Sequence, residues 1–251
     1  MNVDLSGQVV AITGASSGIG EATALACAEA GAAVSLAARR TDRIEALAER
    51  IRSAGGTALA IETDVSDEAQ ANAFVRRTHE ELGRLDVLVN NAGVMLLGPI
   101  EDAPTEEWRR MIDANVYGVL YCTHAAFPLM REQGGGHIVN VSSVAGRRAS
   151  LGSAVYNFTK FGVTGFSEGL RQEALHSNVR VTIIEPGFVE TELMSHNEGN
   201  PFVMQAGAKM KDEIGEVLKA EDIADAIVHS LAAPPHVSIN EVLVRPTKQR
   251  T

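Results

Sequence analysis

The sequence predicts an α/β fold: a single doubly wound, parallel sheet of about seven strands with helices on both faces. Three observations predict it. Strand-like and helix-like stretches alternate along all 251 residues, the pattern of repeated βα units. The strand-like stretches, such as Val87-Leu88-Val89 and Val181-Thr182-Ile183-Ile184, are apolar or β-branched runs without strict alternation, as expected where both faces of a sheet are covered. The first of them runs directly into a glycine-rich turn and then a helix.

Periodicity places strands near 8–13, 33–38, 57–62, 86–90, 137–142, 179–184 and 237–244. Helices fall between them, near 18–30, 42–53, 67–82, 105–132, 153–177 and 221–232. Gly31 stops the first helix, Asp42, Arg43 and Glu45 lead into the second, and Ser66-Asp67-Glu68 opens the third. The 105–132 stretch carries Met111, Ile112, Val116, Val119 and Leu120 as an apolar stripe for the sheet. The 153–177 stretch is apolar around much of its circumference, through Val155, Phe158, Phe161, Val163, Phe166 and Leu170. One face can cover the sheet while another is left for a partner subunit. Residues 188–219 lose strong periodicity and carry Met194, His196, Phe202, Met204 and Met210, so a mobile lid over a substrate is expected there. Right-handed crossovers gather the loops after the strands along one edge, bringing Gly14, Asn91, Ser143 and Pro186 together. No repeat, low-complexity tract or linker divides the chain, and residues 1–251 read as one domain.

Composition narrows the function classes. A formal charge of −10 argues against broad electrostatic attraction to nucleic acid or an anionic membrane, so an anionic ligand must be held by local groups. The sequence has no basic-then-apolar leader and no apolar run long enough to cross a bilayer, and a cytoplasmic protein is expected. Cys27 and Cys122 stand apart in helical stretches and read as buried free thiols. The seven histidines form no H-E-x-x-H, and no metal is inferred.

The glycine turn reads Gly14-Ala15-Ser16-Ser17-Gly18-Ile19-Gly20. Gly14 permits a sharp turn, Gly18 lets the backbone approach a ligand, and Gly20 lets helix and strand pack closely. The free N–H groups at the helix start, with the helix dipole, favour a pyrophosphate, and the place of the turn on the first strand of a βαβ pattern favours a Rossmann-type dinucleotide site over an ordinary tight βα turn, although its G-x-x-x-G-x-G spacing departs from G-x-G-x-x-G. The second strand ends in Arg39-Arg40, where a fold that prefers NAD usually has an acid against the ribose 2′-hydroxyl. A guanidinium there can grip the 2′-phosphate of NADP(H), with Arg39 the main selector and Arg40 a helper. The alternative is a solvated pair opening the next helix.

Tyr156 and Lys160 are spaced i, i+4 and so share a helix face, thirteen residues after Ser143 at the end of a strand. A free phenol titrates near pH 10, and moving that value down by ~3 units takes about 4 kcal/mol of differential stabilisation. The ammonium of Lys160 can supply much of it. The plain alternative is a packed Tyr and a Lys reaching to water.

With these residues the chain resembles the short-chain dehydrogenase/reductase family over essentially its full length. The resemblance rests on Thr13-Gly14-x-x-x-Gly18-Ile19-Gly20, Asp64-Val65, Asn90-Asn91-Ala92-Gly93, Asn115, Ser143, Tyr156-x-x-x-Lys160 and Pro186-Gly187, in the family's order and spacing. The stretch Gly93-Val94-Met95-Leu96-Leu97-Gly98-Pro99 and the ending Glu241-Val242-Leu243-Val244-Arg245-Pro246 are similar to an NADP-dependent branch containing clavulanic acid, 3-hydroxy-acid and serine dehydrogenases. The resemblance implies that Tyr156 exchanges a proton with the substrate oxygen and that Ser143, rather than Ser142, holds that oxygen. It implies that Lys160 tunes the phenol and binds the nicotinamide ribose, and that Asn115 holds a water in a relay to the lysine. Asp64 and Val65 would contact adenine, Asn91, Ala92 and Gly93 would lie beneath the adenine ribose, and Pro186, Gly187, Val189 and Thr191 would reach the carboxamide or phosphates. The implied activity is NADPH-dependent reduction of an aldehyde, ketone or 3-oxo acid, run reversibly, in a homotetramer or dimer. A non-catalytic NADP(H) sensor and a cofactor-recycling isomerase or dehydratase stand as alternatives. Arg147 and Arg148 are either substrate-carboxylate ligands or a solvated loop pair.

Overall fold

The computed structural model describes residues 3–250, apart from the side chain of Phe202. Seven strands form one sheet: β1 (Val9–Thr13), β2 (Ala33–Ala38), β3 (Ala58–Glu62), β4 (Val87–Asn90), β5 (Gly136–Val141), β6 (Val179–Pro186) and β7 (Glu241–Val244). Their order is β3-β2-β1-β4-β5-β6-β7, and every pair is parallel. The order reverses between β1 and β4, so the two halves of the sheet wind away from each other and leave a crevice beyond their carboxyl ends.

Both faces of the sheet are covered, which is why its strands read as continuous apolar runs. Val10, Ile12, Val34 and Leu36 point to one side, where α1 (Gly18–Glu29), α2 (Thr41–Ser53) and α8 (Ala220–Leu231) bury Cys27, Ile44, Leu47, Ile223 and Ile227. Ala11, Ala37, Leu88 and Ile138 point to the other, beneath α3 (Glu68–Leu82), α5 (Gly118–Glu132) and α6 (Ala154–Glu173) with Phe74, Cys122, Met130 and Leu170. The cysteines are buried as expected, and burial pushes both thiols up to about 12.

Four expectations need correction. The helix expected over 105–132 is three segments: α4 (Thr105–Ile112), a π turn (Asp113–Tyr117) and α5. The 153–177 helix ends at Glu173 and closes in a 3₁₀ turn, Ala174–His176. The last strand begins at Glu241 rather than 237, because side chains bind much of the preceding backbone: Arg180 donates to the Val237 carbonyl at 3.1 Å and Thr182 to that of Ile239 at 2.6 Å. The 188–219 segment, aperiodic in sequence, holds a 3₁₀ stretch (Glu192–Asn197) and a helix, α7 (Pro201–Ile214). Asn200 caps α7 and Pro201 occupies its first turn, a start signal that the irregular apolar pattern obscured. Phe202 lies in α7, and its side chain is outside the described residues.

Candidate active site

The first helix start is built by close approach. Gly14 sits at φ +67°, and a Cβ there would meet the Ala92 Cα at 2.8 Å. A Cβ on Gly20 would stand 2.3 Å from the Gly14 carbonyl oxygen, so helix and turn pack at a distance only hydrogen allows. Asn91 knits β4 to this turn, donating to the carbonyls of Thr13 at 2.9 Å and Gly14 at 3.2 Å. The Thr13 hydroxyl accepts from the backbone N–H of Asn91 and of Ala92, both at 3.0 Å. These bonds close β1 and β4 over the crevice and leave Ser16, Ser17, Gly18 and Ile19 lining a cavity of about 970 Å³.

The same cavity is lined by Ser143, Tyr156 and Lys160. Ser143 follows β5 and starts a 3₁₀ turn (Val144–Gly146); its Oγ accepts from the Ala145 N–H at 3.1 Å, which leaves the hydroxyl hydrogen free to point elsewhere. Tyr156 lies in the first turn of α6, close enough to the Ser143 hydroxyl for that group to favour the ionised phenol. Lys160, one turn further along, donates from Nζ to the Val141 carbonyl at 2.9 Å, with Nζ 5.9 Å from the Tyr156 ring centre. Ser142 is spent on the helix, bonding the Lys160 carbonyl and the Thr164 hydroxyl at 3.1 Å each.

One electrostatic expectation is reversed. Burial pushes the Tyr156 phenol up to about 12, and the group that pulls it back is the Ser143 hydroxyl. Burial pushes the Lys160 ammonium down to about 8. The lysine lies over the ring and is held by Val141, so spacing on a helix face does not carry its charge onto the phenol oxygen.

Asn115 sits inside the π turn, buried behind the cavity wall. Its amide grips the Val94 backbone twice, accepting from N–H at 2.8 Å and donating to the carbonyl at 2.9 Å, and also donates to the Thr159 hydroxyl at 3.1 Å. The extra backbone residue of a π turn rotates this one side chain out of the apolar stripe around it.

Residues 8–200 match the family model for short chain dehydrogenase. The chain belongs to the short-chain dehydrogenase family. An uncharacterized oxidoreductase of Staphylococcus saprophyticus is 43% identical over 249 residues, spanning 96% of this chain and 97% of that protein. A serine dehydrogenase in its closed form, complexed with NADP+, superposes with a TM-score of 0.89 at 33% identity, over 97% of both chains. A 7α-hydroxysteroid dehydrogenase complexed with NADH and a 7-oxo bile acid superposes with a TM-score of 0.87 at 28% identity, over 100% of this chain and 97% of that one. This chain is thus an oxidoreductase of the short-chain dehydrogenase family, with a single-domain, Rossmann-like fold.

In this short-chain dehydrogenase the two arginines at the end of β2 are placed differently from each other. Arg39 is largely exposed, 3.9 Å from Asp64. Arg40 donates to Ser16 at 2.9 Å and to Ser17 at 2.7 Å, and so lies on the glycine turn. Asp64 accepts from the N–H and hydroxyl of Ser66, while the cap of α3 is Asp67. Asp64 and Val65 line the cavity, as do Arg39, Asn91, Ala92, Gly93, Pro186, Gly187, Val189 and Thr191. Gly187 passes beneath Gln249, where a Cβ would lie 2.4 Å from the amide oxygen. Among the loop arginines, Arg147 is consumed by Glu185 and Glu241, while Arg148 lines the cavity and has no ion pair among the described residues.

Sequence reasoning missed three parts of this wall. Asn197, buried, accepts from the Leu97 N–H at 2.8 Å and donates to the Met95 carbonyl at 2.9 Å, and Asn200 donates to the Leu97 carbonyl at 3.0 Å. Glu192 binds Arg40 and Arg43 at 2.7 Å each. Val189 pairs with Leu218 as an isolated parallel bridge that pinches the two ends of the 188–219 segment together. An asparagine immediately before a proline was the one available sequence signal; the others pair residues up to 152 positions apart.

Proposed function

We propose that this chain is an NADPH-dependent carbonyl reductase, reversibly an alcohol dehydrogenase, acting on a small aldehyde, ketone or 3-oxo acid. The observation that carries the proposal is the placement of a buried phenol, beside a serine hydroxyl and one turn from an ammonium, in the same cavity as a glycine-rich helix start. A dinucleotide fits what is present: a backbone cradle that a Cβ would fill, two serine hydroxyls, and guanidiniums at the end of β2. The serine dehydrogenase neighbour, complexed with NADP+, supports the phosphorylated form of the cofactor, and Arg40 on Ser16 and Ser17 would be its principal 2′-phosphate ligand, with Arg39 beside it.

When bound, the nicotinamide supplies a hydride to the carbonyl carbon. Tyr156 then gives its proton to the developing alkoxide. A phenol near 12 is fully protonated at neutral pH and remains a stronger acid than an alcohol, so proton delivery is downhill. Ser143, with its lone pair engaged by Ala145, donates its hydrogen to the same oxygen. Lys160 uses one N–H on Val141 and has two left for ribose hydroxyls. Asn115 fixes the Val94 backbone beside the site and would help refill the lysine through water. The 188–219 segment would serve as the lid, with Met194, Val203, Gly207 and Met210 lining the cavity. The high phenol value favours reduction near neutrality, with oxidation gaining as pH rises.

The test is an absorbance assay of NADPH oxidation against a panel of carbonyl compounds. Wild type should turn over at least one member, and Tyr156→Phe should lower kcat by roughly 10²- to 10⁴-fold while still binding NADPH. Turnover by Tyr156→Phe at the wild-type rate would reject the assigned proton donor. Binding of NADPH with no turnover across the panel would favour the sensor reading, and product formation without net NADPH loss the isomerase reading.

A further inference from the structure

Arg40 and Arg43 converge on a carboxylate from a distant part of the chain. Glu192 opens the 3₁₀ stretch after Thr191, and its two oxygens receive one guanidinium each, Arg40 at 2.7 Å and Arg43 at 2.7 Å. The arginines hold its carboxyl well below the usual carboxylate range. The same Arg40 that donates to Ser16 and Ser17 from Nε and Nη2 thus donates from Nη1 to an acid on the segment covering the cavity. An anion lies where a second anion, a ribose 2′-phosphate, would have to be recognised.

We infer that Glu192 is a cofactor-specificity residue: its carboxylate is an internal stand-in for a 2′-phosphate on Arg40, so a 2′-phosphorylated ligand binds by exchanging one anion for another. The inference rests on the NADP(H) reading above. Two anions sharing one guanidinium repel, so the phosphate takes Arg40 with Ser16 and Ser17, and Glu192 keeps Arg43 alone. The wild-type preference for a 2′-phosphate is therefore smaller than its arginines alone would give. Glu192 also fastens the segment to the glycine turn until that exchange occurs.

Calorimetric titration of wild type, Glu192→Gln and Arg40→Ala with adenosine 2′,5′-bisphosphate and with 5′-AMP tests this, since the two probes differ only in the 2′-phosphate. Glu192→Gln keeps the size and one acceptor while removing the charge. It should bind the bisphosphate about tenfold more tightly than wild type, leave 5′-AMP within about twofold, and lose part of that gain at high salt. Unchanged or weaker bisphosphate binding by Glu192→Gln, with Arg40→Ala losing it, would overturn this inference and spare the NADP(H) reading. Equal binding of the two probes by wild type, unaffected in either variant, would overturn both. A second readout is amide hydrogen exchange over 191–197: adding bisphosphate should speed it in wild type, and Glu192→Gln should be fast beforehand. Exchange that is slow in the variant and indifferent to the bisphosphate in wild type would also overturn the anion exchange.

Discussion

At the scale of single residues, the chemistry depends on where a side chain spends its hydrogen bonds. Lys160 could have reached water, as many lysines on helix faces do, but the Val141 carbonyl holds it in a dry site and its ammonium falls to about 8. If that ammonium orients the cofactor ribose, it must carry its proton to do so. The proton is present below about 8 and is lost as pH rises through that value, so kcat/KM for carbonyl reduction should be flat near neutrality and fall about tenfold per pH unit above it. A pH-rate profile in the reductive direction checks the sign; a rate that climbs through pH 9 would contradict it. That Ser143, Tyr156 and Lys160 line one cavity was legible because helix spacing and strand ends are local. The direction of the phenol shift was not, because it is set by burial and by a hydroxyl thirteen residues away.

At the scale of elements, the site is made by joints between segments. The π turn at Asp113–Tyr117 has no signature in the apolar stripe around it, yet it lets Asn115 hold the Val94 backbone. Asn197 plays a matching part on the opposite wall, tying the 3₁₀ stretch to Met95 and Leu97. Removing that buried amide leaves a backbone N–H and a carbonyl to find new partners, a loss of about 1–3 kcal/mol. Asn197→Ala should therefore speed amide exchange in α7 by tenfold or more and raise KM for the carbonyl substrate, with global stability changed far less. Exchange in α7 that matches wild type would show that the segment is held elsewhere, as at Val189 and Leu218. α7 itself was missed because, among the described residues, its buried positions, Val203 and Ile214, are few, whereas the helices against the sheet carry full stripes.

At the scale of the whole molecule, α6 and the π turn leave large side chains outside. Phe158 is 65% exposed, Phe161 and Tyr117 are 44% exposed, and Tyr117 stacks on Tyr121 at 5.6 Å. We propose that this surface packs against a second copy of the chain, the homo-oligomer expected from sequence. Light scattering at micromolar concentration should give a multiple of the 26.6 kDa chain mass, and Phe158→Glu, which places a charge on an exposed position, should lower it toward one chain without unfolding the protein. A wild-type monomer would remove the proposal. Among the described residues no helix is long and apolar enough to cross a membrane.

By itself the sequence determined the parallel sheet, the glycine turn and the Ser143, Tyr156 and Lys160 set, because runs, turns and helix faces are written in residues that lie near one another along the chain. Tertiary structure alone decided that Arg40 rather than Arg39 lies on the glycine turn, that Arg147 is tied up by Glu185 and Glu241, and that Glu192 reaches the arginines. Those outcomes depend on which charges meet across loops far apart in the chain and on how much water is excluded between them, and both quantities exist only after the sheet has wound.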